Sequence, residues 1–244
     1  FDVLVIGGGI FGACAAWDAA LRGLSVALIE RRDFGSGTSA NSFKMVHGGI
    51  RYLQHADVYR IRESSRERNA LLRIAPHLVS PLPVMIPTYG HGREGKELLS
   101  AGMLLYDSVT LDRNRGLEDP DRRIPRCRIL SRDDCLAALP GLESRGLTGG
   151  ALFHDGQVHN TPRLVLAFLQ SAASEGAVVA NYVEANGFLR AGDAVTGVRA
   201  RDTLTGDTLD IRGTVVLNCA GPWAERLLAR ADDVAVTPAG TFSR

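Results

Sequence analysis

Residues 3–6, Val-Leu-Val-Ile, form an unbroken apolar, largely β-branched run, the pattern of a strand covered on both faces in a parallel sheet. Three glycines follow. Residues 10–21 are then small and apolar apart from Trp17 and Asp18, which predicts a helix able to approach a sheet closely, and Gly23 stops it. Residues 25–29 repeat the buried-strand pattern, completing a βαβ unit of about 30 residues. Further along, residues 58–74 carry a charged helical pattern ended by Pro76, and Pro81, Pro83 and Pro87 bracket a short strand at 84–86. Residues 90–132 lose periodicity apart from a helix near 98–105 and read as an inserted region facing substrate or a partner. Ser131 and Asp134 have capping-box spacing ahead of a short helix that ends at Pro140-Gly141. Thr161-Pro162 opens a helix to residue 174, closed by Gly176. A short strand is expected at Val178-Val179. The segments 186–189, 195–201 and 208–211, separated by Gly-Asp turns, are antiparallel hairpins. Residues 214–217 form one more buried strand before a helix at 222–230.

The succession specifies an α/β fold: a Rossmann-like domain, βαβ with a parallel sheet and an antiparallel hairpin insert, plus a partial α+β substrate domain. The expected division is a dinucleotide-binding first part at 1–80, a substrate or cap region at 81–150 and a second dinucleotide-binding part at 151–235. Residues 236–244 read as the start of a further substrate-domain segment, and both ends of the chain are expected to be missing something.

Composition narrows the function classes. The chain has 244 residues with 45% hydrophobic side chains, enough for a large core, and 28 basic against 27 acidic residues leave a charge of +1. No global field recruits nucleic acid, so any anion site is local. Cys14, Cys127, Cys135 and Cys219 lack CxxC spacing, which points to a reducing compartment and no structural metal. His154 and His159 flank Asp155-Gly156 and read as a turn between strand and helix. No leader is visible, and no uncharged apolar run reaches the roughly 18 residues that span a bilayer.

The chemistry begins at Gly7-x-Gly9-x-x-Gly12, between a strand and the helix starting at Ile10. Its glycines permit the turn, the approach of a pyrophosphate to backbone N–H groups, and close helix–strand packing. Glu30 ends the next strand, where an acid accepts hydrogen bonds from ribose hydroxyls and disfavours a 2′-phosphate. FAD or NAD is therefore expected over NADP. The segment from Gly35 to Arg51 separates these two. Thr38, Ser39 and Ser42, followed by Lys44 and then His47-Gly48-Gly49, suit a chain passing a second phosphate and lying under an isoalloxazine ring, with glycines avoiding collision. Arg51 and Tyr52 beside the flavin suit an anionic, hydroxylated substrate, though such a pair also occurs on ordinary helix surfaces.

The run 44–53, Lys-Met-Val-His-Gly-Gly-Ile-Arg-Tyr-Leu, resembles the signature of FAD-dependent glycerol-3-phosphate dehydrogenases, within the D-amino-acid-oxidase-like superfamily. Arg66-Glu67-Arg68, Ala75-Pro76-His77-Leu78, Leu105-Tyr106-Asp107, Asp155-Gly156-Gln157 and Asn218-Cys219-Ala220-Gly221-Pro222-Trp223 extend the resemblance over the whole chain. It implies oxidation of sn-glycerol 3-phosphate to dihydroxyacetone phosphate, with hydride passing to flavin and electrons to quinone or another acceptor. Cofactor contacts are implied for Gly7, Gly9, Ile10, Gly12, Glu30, Arg31, Thr38, Ser39, Ser42, Lys44, His47, Gly48, Gly49, Val183, Ala220 and Gly221. Val183 offers its backbone to the adenine. His47, Arg51 and Tyr52 take the substrate side as catalytic candidates. Thr161-Pro162 departs from the family's usual Asp-Ala. A cytoplasmic protein is expected, with room for a homodimer and for peripheral contact with the inner face of a membrane; the arginines at 122, 123, 126 and 128 either touch phospholipid headgroups or lie on a solvated loop. The rivals are a related flavin oxidase or dehydrogenase acting on an amino acid or 2-hydroxy acid, and a non-catalytic nucleotide-binding module.

Overall fold

The computed structural model describes residues 1–92 and 95–229. In chain order its elements are β1 (Val3–Ile6), α1 (Ile10–Leu21), β2 (Val26–Ile29), β3 (Met45–Val46), α2 (Val58–Ile74), β4 (Val79–Tyr89), α3 (Lys96–Val109), β5 (Arg128–Leu130), α4 (Arg132–Ala138), β6 (Leu147–Val158), α5 (Thr161–Ser174), β7 (Val178–Ala180), β8 (Val183–Ala191), β9 (Ala194–Asp202), β10 (Thr208–Arg212), β11 (Val215–Asn218) and α6 (Ala224–Leu228). Short 3-10 turns occupy Ile50–His55, Pro120–Arg122 and Gly221–Trp223. The expected helix at 222–230 is thus a 3-10 turn followed by α6. Arg230 and the expected segment 236–244 lie outside the described residues.

The chain forms two compact units, Phe1–Phe43 with the chain from Asn160 onward, and Lys44–His159. These limits differ from the expected divisions at residues 81 and 150. The reason is hydrogen bonding: β3 and β4 both pair with β6, which ties residues 44–80 to the segment that ends at His159.

In the first unit a parallel sheet runs β11-β1-β2-β7. Leu4, Ile6, Ala27 and Ile29 point to one face and pack on Ala185, Val198 and Ala200 of the antiparallel sheet β10-β9-β8. The opposite face, with Val5 and Leu28 fully buried, meets the small residues of α1. Trp17 of α1 meets Phe168 of α5 edge to face at 5.3 Å. Double coverage explains the unbroken apolar runs, each large side chain contributing about 1.5–3 kcal/mol on burial. β11 departs from the expected buried strand: among the described residues it is a sheet edge, and Val215 is 48% exposed.

In the second unit β6 is the central strand, paired with β4 along its length and with β3 and β5 on its other side. β4 is far longer than the expected 84–86, because its prolines interrupt nothing. Pro81, Pro83 and Pro87 share one parity on a strand that is an edge among the described residues, so their missing donors can all face away from β6 while the strand stays in register with it. α3 likewise extends beyond the expected 98–105. His154, Asp155 and Gly156 lie inside β6, not in a turn. The capping box at Ser131 is present: its hydroxyl accepts from the Asp134 amide at 3.1 Å, and the Asp134 carboxylate accepts from the Ser131 amide at 3.1 Å.

Candidate dinucleotide site and substrate-side loop

At the carboxyl end of β1 the chain turns so tightly that a Cβ at Gly12 would stand 1.9 Å from the Gly7 carbonyl oxygen. α1 therefore begins with its first turn pressed against the strand. Gly9 is its N-cap and supplies no side-chain acceptor, and the first turn holds no acidic residue. The Ile10 amide donates to the Ser39 hydroxyl at 3.0 Å. This end of the helix dipole favours an anion, and its first amide meets a neutral hydroxyl.

Glu30, one residue past β2, is fixed by two amides: Gly8 donates to one carboxylate oxygen at 2.8 Å and Arg32 to the other at 2.9 Å. Each oxygen keeps acceptor capacity for a ribose hydroxyl. Gly8 was not singled out by the glycine motif, yet a Cβ there would strike the Phe34 ring at 2.7 Å. The Val183 amide donates to the Glu30 carbonyl at 2.8 Å, so Val183 stands beside Glu30 with its N–H already engaged.

The loop after Glu30 is packed against the turn after β11. The Arg31 guanidinium lies over the Trp223 ring, 4.5 Å from its centroid, and a Cβ at Gly37 would meet the same ring at 3.1 Å. Thr38 is exposed, Ser39 and Ala220 are half-buried, and Gly221 adopts a left-handed φ of +56°. Ser42 donates its hydroxyl to the Ser39 carbonyl at 3.4 Å. Asn218 ties the turn: its side-chain oxygen accepts from the Ala220 amide and its Nδ2 donates to the Ala224 carbonyl, both at 3.2 Å. Gly7, Gly9, Ile10, Gly12, Glu30, Ser39 and Val183 therefore gather at one end of the parallel sheet. Gly8 and Trp223 join them as residues whose roles only the packing reveals.

In the second unit, Lys44, His47, Gly48, Gly49, Arg51 and Tyr52 lie on one continuous stretch. The Lys44 carbonyl accepts from the Val158 amide at 2.8 Å. The glycines have packing and backbone reasons beyond the expected avoidance of a flavin ring. A Cβ on Gly48 would meet Arg68 Nη1 at 2.0 Å and the Tyr106 hydroxyl at 2.4 Å, and Gly49 has φ +84° as N-cap of the 3-10 turn carrying Arg51 and Tyr52. The Gly48 amide donates to Asp155 Oδ1 at 2.6 Å, and the Gly48 carbonyl accepts from the Tyr106 hydroxyl at 3.0 Å. Arg68 Nη1 donates to the same Asp155 oxygen at 2.7 Å, in an ion pair with both side chains almost wholly buried. Burial holds the Tyr106 phenol above its ordinary range, opposed by the Arg68 charge. Burial and then the Arg68 charge hold His154 below its ordinary range. The His47 and Tyr52 rings meet edge to face at 5.9 Å, and the Arg60 guanidinium lies 5.7 Å from the Tyr52 ring centroid.

Arg122 and Arg123, expected among membrane-facing arginines, are used to fasten their own segment. Arg122 donates to the Pro76 and Val79 carbonyls, and Arg123 to the Leu117 carbonyl at 3.1 Å. No helix among the described residues is long and apolar enough to cross a membrane.

The turn, the fixed acid and the three-layered first unit define a dinucleotide-binding oxidoreductase fold, and the chain belongs to the family of FAD dependent oxidoreductases, whose model matches residues 2–242. Within it, the chain is 39% identical over 234 residues to the glycerol-3-phosphate dehydrogenase of Synechocystis, covering 95% of this chain and 41% of that protein. It is 41% identical over 230 residues to that of Mycobacterium leprae, covering 94% of this chain and 37% of the relative. The structure of glycerol-3-phosphate dehydrogenase from Bacillus halodurans complexed with FAD superposes with a TM-score of 0.69 at 30% identity, over 94% of this chain and 36% of that one. The chain thus spans well under half the length of these relatives.

Proposed function

We propose that this chain is the cofactor-binding part of an FAD-dependent dehydrogenase that oxidises sn-glycerol 3-phosphate to dihydroxyacetone phosphate. The observation that carries the reading is the amino end of α1, whose N-cap glycine brings no side chain and whose first turn holds no acid, beside a glutamate fixed by two backbone amides. The residues present fit FAD: Gly7 and Gly12 let the backbone of strand, turn and helix close together, Gly9 keeps the turn free of a side chain where a diphosphate would approach, the α1 amides and the Ser39 hydroxyl are its donors, and Glu30 accepts from the adenosine ribose. Identity near 40% to glycerol-3-phosphate dehydrogenases over nearly the whole chain supports the substrate.

FAD, when bound, supplies the two-electron acceptor. The chain's own residues perform the remainder of the proposal. Arg51 pairs with the substrate phosphate, and Tyr52 orients the carbinol by a hydrogen bond. As the C2 hydrogen leaves as hydride, an imidazole nitrogen of His47 accepts the hydroxyl proton, completing the ketone. Thr38, Ser42, Lys44, Ala220 and Gly221 are proposed further cofactor contacts, and Arg31 acts there by holding the loop through Trp223. Onward passage of electrons to quinone or another acceptor, a cytoplasmic location with peripheral membrane contact, and a homodimer complete the proposal.

The test is anaerobic addition of glycerol 3-phosphate, glycine, sarcosine or 2-hydroxyglutarate to the purified full-length protein, following the flavin's visible absorbance. Bleaching by glycerol 3-phosphate alone is the expected result. Bleaching by one of the others, and not by glycerol 3-phosphate, reassigns the substrate, and a colourless protein that cannot be reconstituted with FAD rejects the flavoenzyme reading.

A further inference from the structure

We propose that Arg68, Tyr106 and Asp155 are positioning residues that fix the backbone at Gly48, and through it the His47, Arg51 and Tyr52 side chains. They come from three elements, α2, α3 and β6, and none belongs to the stretch they hold. Asp155 takes the N–H of the peptide that links His47 to Gly48, and Tyr106 donates to the carbonyl of the next peptide. Both peptide planes around one residue are thereby set. On one side the chain delivers the His47 ring. On the other it enters Gly49, whose carbonyl accepts from the Tyr52 amide at 2.9 Å and starts the 3-10 turn with Arg51 and Tyr52.

Stability alone does not account for this arrangement. Arg68 is fully buried, and its Nε and Nη2 lack hydrogen-bond partners, while Nη1 serves Asp155 Oδ1, the His154 carbonyl and the Tyr106 hydroxyl. A buried ion pair is often replaceable by apolar side chains with no loss of stability, and a partly satisfied one is costlier still. What an apolar replacement cannot supply is a directional acceptor for the Gly48 amide and a donor for its carbonyl. The expense is consistent with a site where geometry takes precedence. The link to catalysis rests on the proposed function, whereas the hold on the backbone does not.

The test is Tyr106→Phe in the full-length holoprotein, which removes one hydroxyl and leaves the ring in place. Three quantities are measured: hydrogen–deuterium exchange over residues 44–53, FAD content, and the rate of flavin reduction against glycerol 3-phosphate concentration. The expected result is exchange at least about tenfold faster over 44–53 and unchanged over β1 and α1, FAD content as in wild type, the limiting reduction rate about tenfold lower, and KM within about twofold. A role confined to general stability would instead raise exchange throughout the second unit and leave the limiting rate of the folded fraction unchanged. Unchanged exchange over 44–53, or faster exchange with an unchanged limiting rate, overturns the inference. If Tyr106→Phe does not fold, Asp155→Asn is read by the same criteria. If wild-type flavin is not reduced by glycerol 3-phosphate, the substrate reading fails by itself, and the exchange over 44–53 alone decides whether the network holds the loop.

Discussion

Gly12 and Gly48 are both closed to a side chain, but for opposite reasons. At Gly12 the obstacle is the carbonyl oxygen of Gly7, five residues away in the same turn. At Gly48 it is a guanidinium and a phenol brought from 20 and 58 residues away, with a carboxylate from 107 residues away completing the contact. A short-range glycine leaves a spacing that can be read along the chain. A long-range one leaves only a glycine, and its reason emerges when the tertiary structure assembles.

The largest break in this comparison falls on the long-range side. Asp155→Ala leaves the Arg68 charge buried and the Gly48 amide without its acceptor, for an expected loss of about 3–5 kcal/mol in denaturant unfolding. The double variant Arg68→Met with Asp155→Ala recovers part of that loss, because the unpaired charge has gone. Gly12→Ala comes next. A backbone oxygen at 1.9 Å cannot swing aside as a side chain can, so β1 and α1 must separate, at about 3 kcal/mol and with loss of bound FAD. The unfolding midpoint and the flavin-to-protein ratio check both effects.

The difference in range also governs how much of the molecule was legible beforehand. The β1–α1–β2 unit, Glu30, the capping box at Ser131 and the three hairpin strands rest on contacts between near neighbours or on simple periodicity, and all were read from residues in order. β6 was missed because Gly149, Gly150, His154, Asp155 and Gly156 spoil the alternation of a central strand; neighbouring strands and helices bury it instead. β4 was clipped because a proline looks like a terminator until the strand is known to be an edge. The segments holding Arg68, Tyr106 and Asp155 were each visible as likenesses to one family, but nothing in their spacing says that they meet at one peptide.

A smaller effect separates the two sides of the first cluster. Glu30→Gln keeps the side chain's size and one acceptor oxygen, so the Gly8 or Arg32 tie survives while the charged acceptor for the ribose is lost. FAD affinity is expected to fall roughly tenfold with little change in unfolding, as read by titrating the apoprotein with FAD.

The smallest expected effect concerns proton uptake beside the buried pair. His154 is held below its ordinary value of 6.5 by burial and by the Arg68 charge, and its Nδ1 is buried without a hydrogen-bond partner. The unfolded chain therefore binds a proton near pH 6.5 that the folded chain refuses. Stability from this group is complete above about pH 6.5 and is lost as pH falls toward the depressed folded value. Asp134, lowered from 3.8 by its bonds to Ser131, acts in the same direction but in a separate, more acidic window. His154→Gln should then unfold much like wild type at pH 8 and show a flatter decline between pH 6.5 and 5, measured as denaturant midpoint against pH. An unaltered slope in that window would mean that His154 is protonated in the fold despite Arg68, and that the long-range cluster is more open to water than its packing indicates.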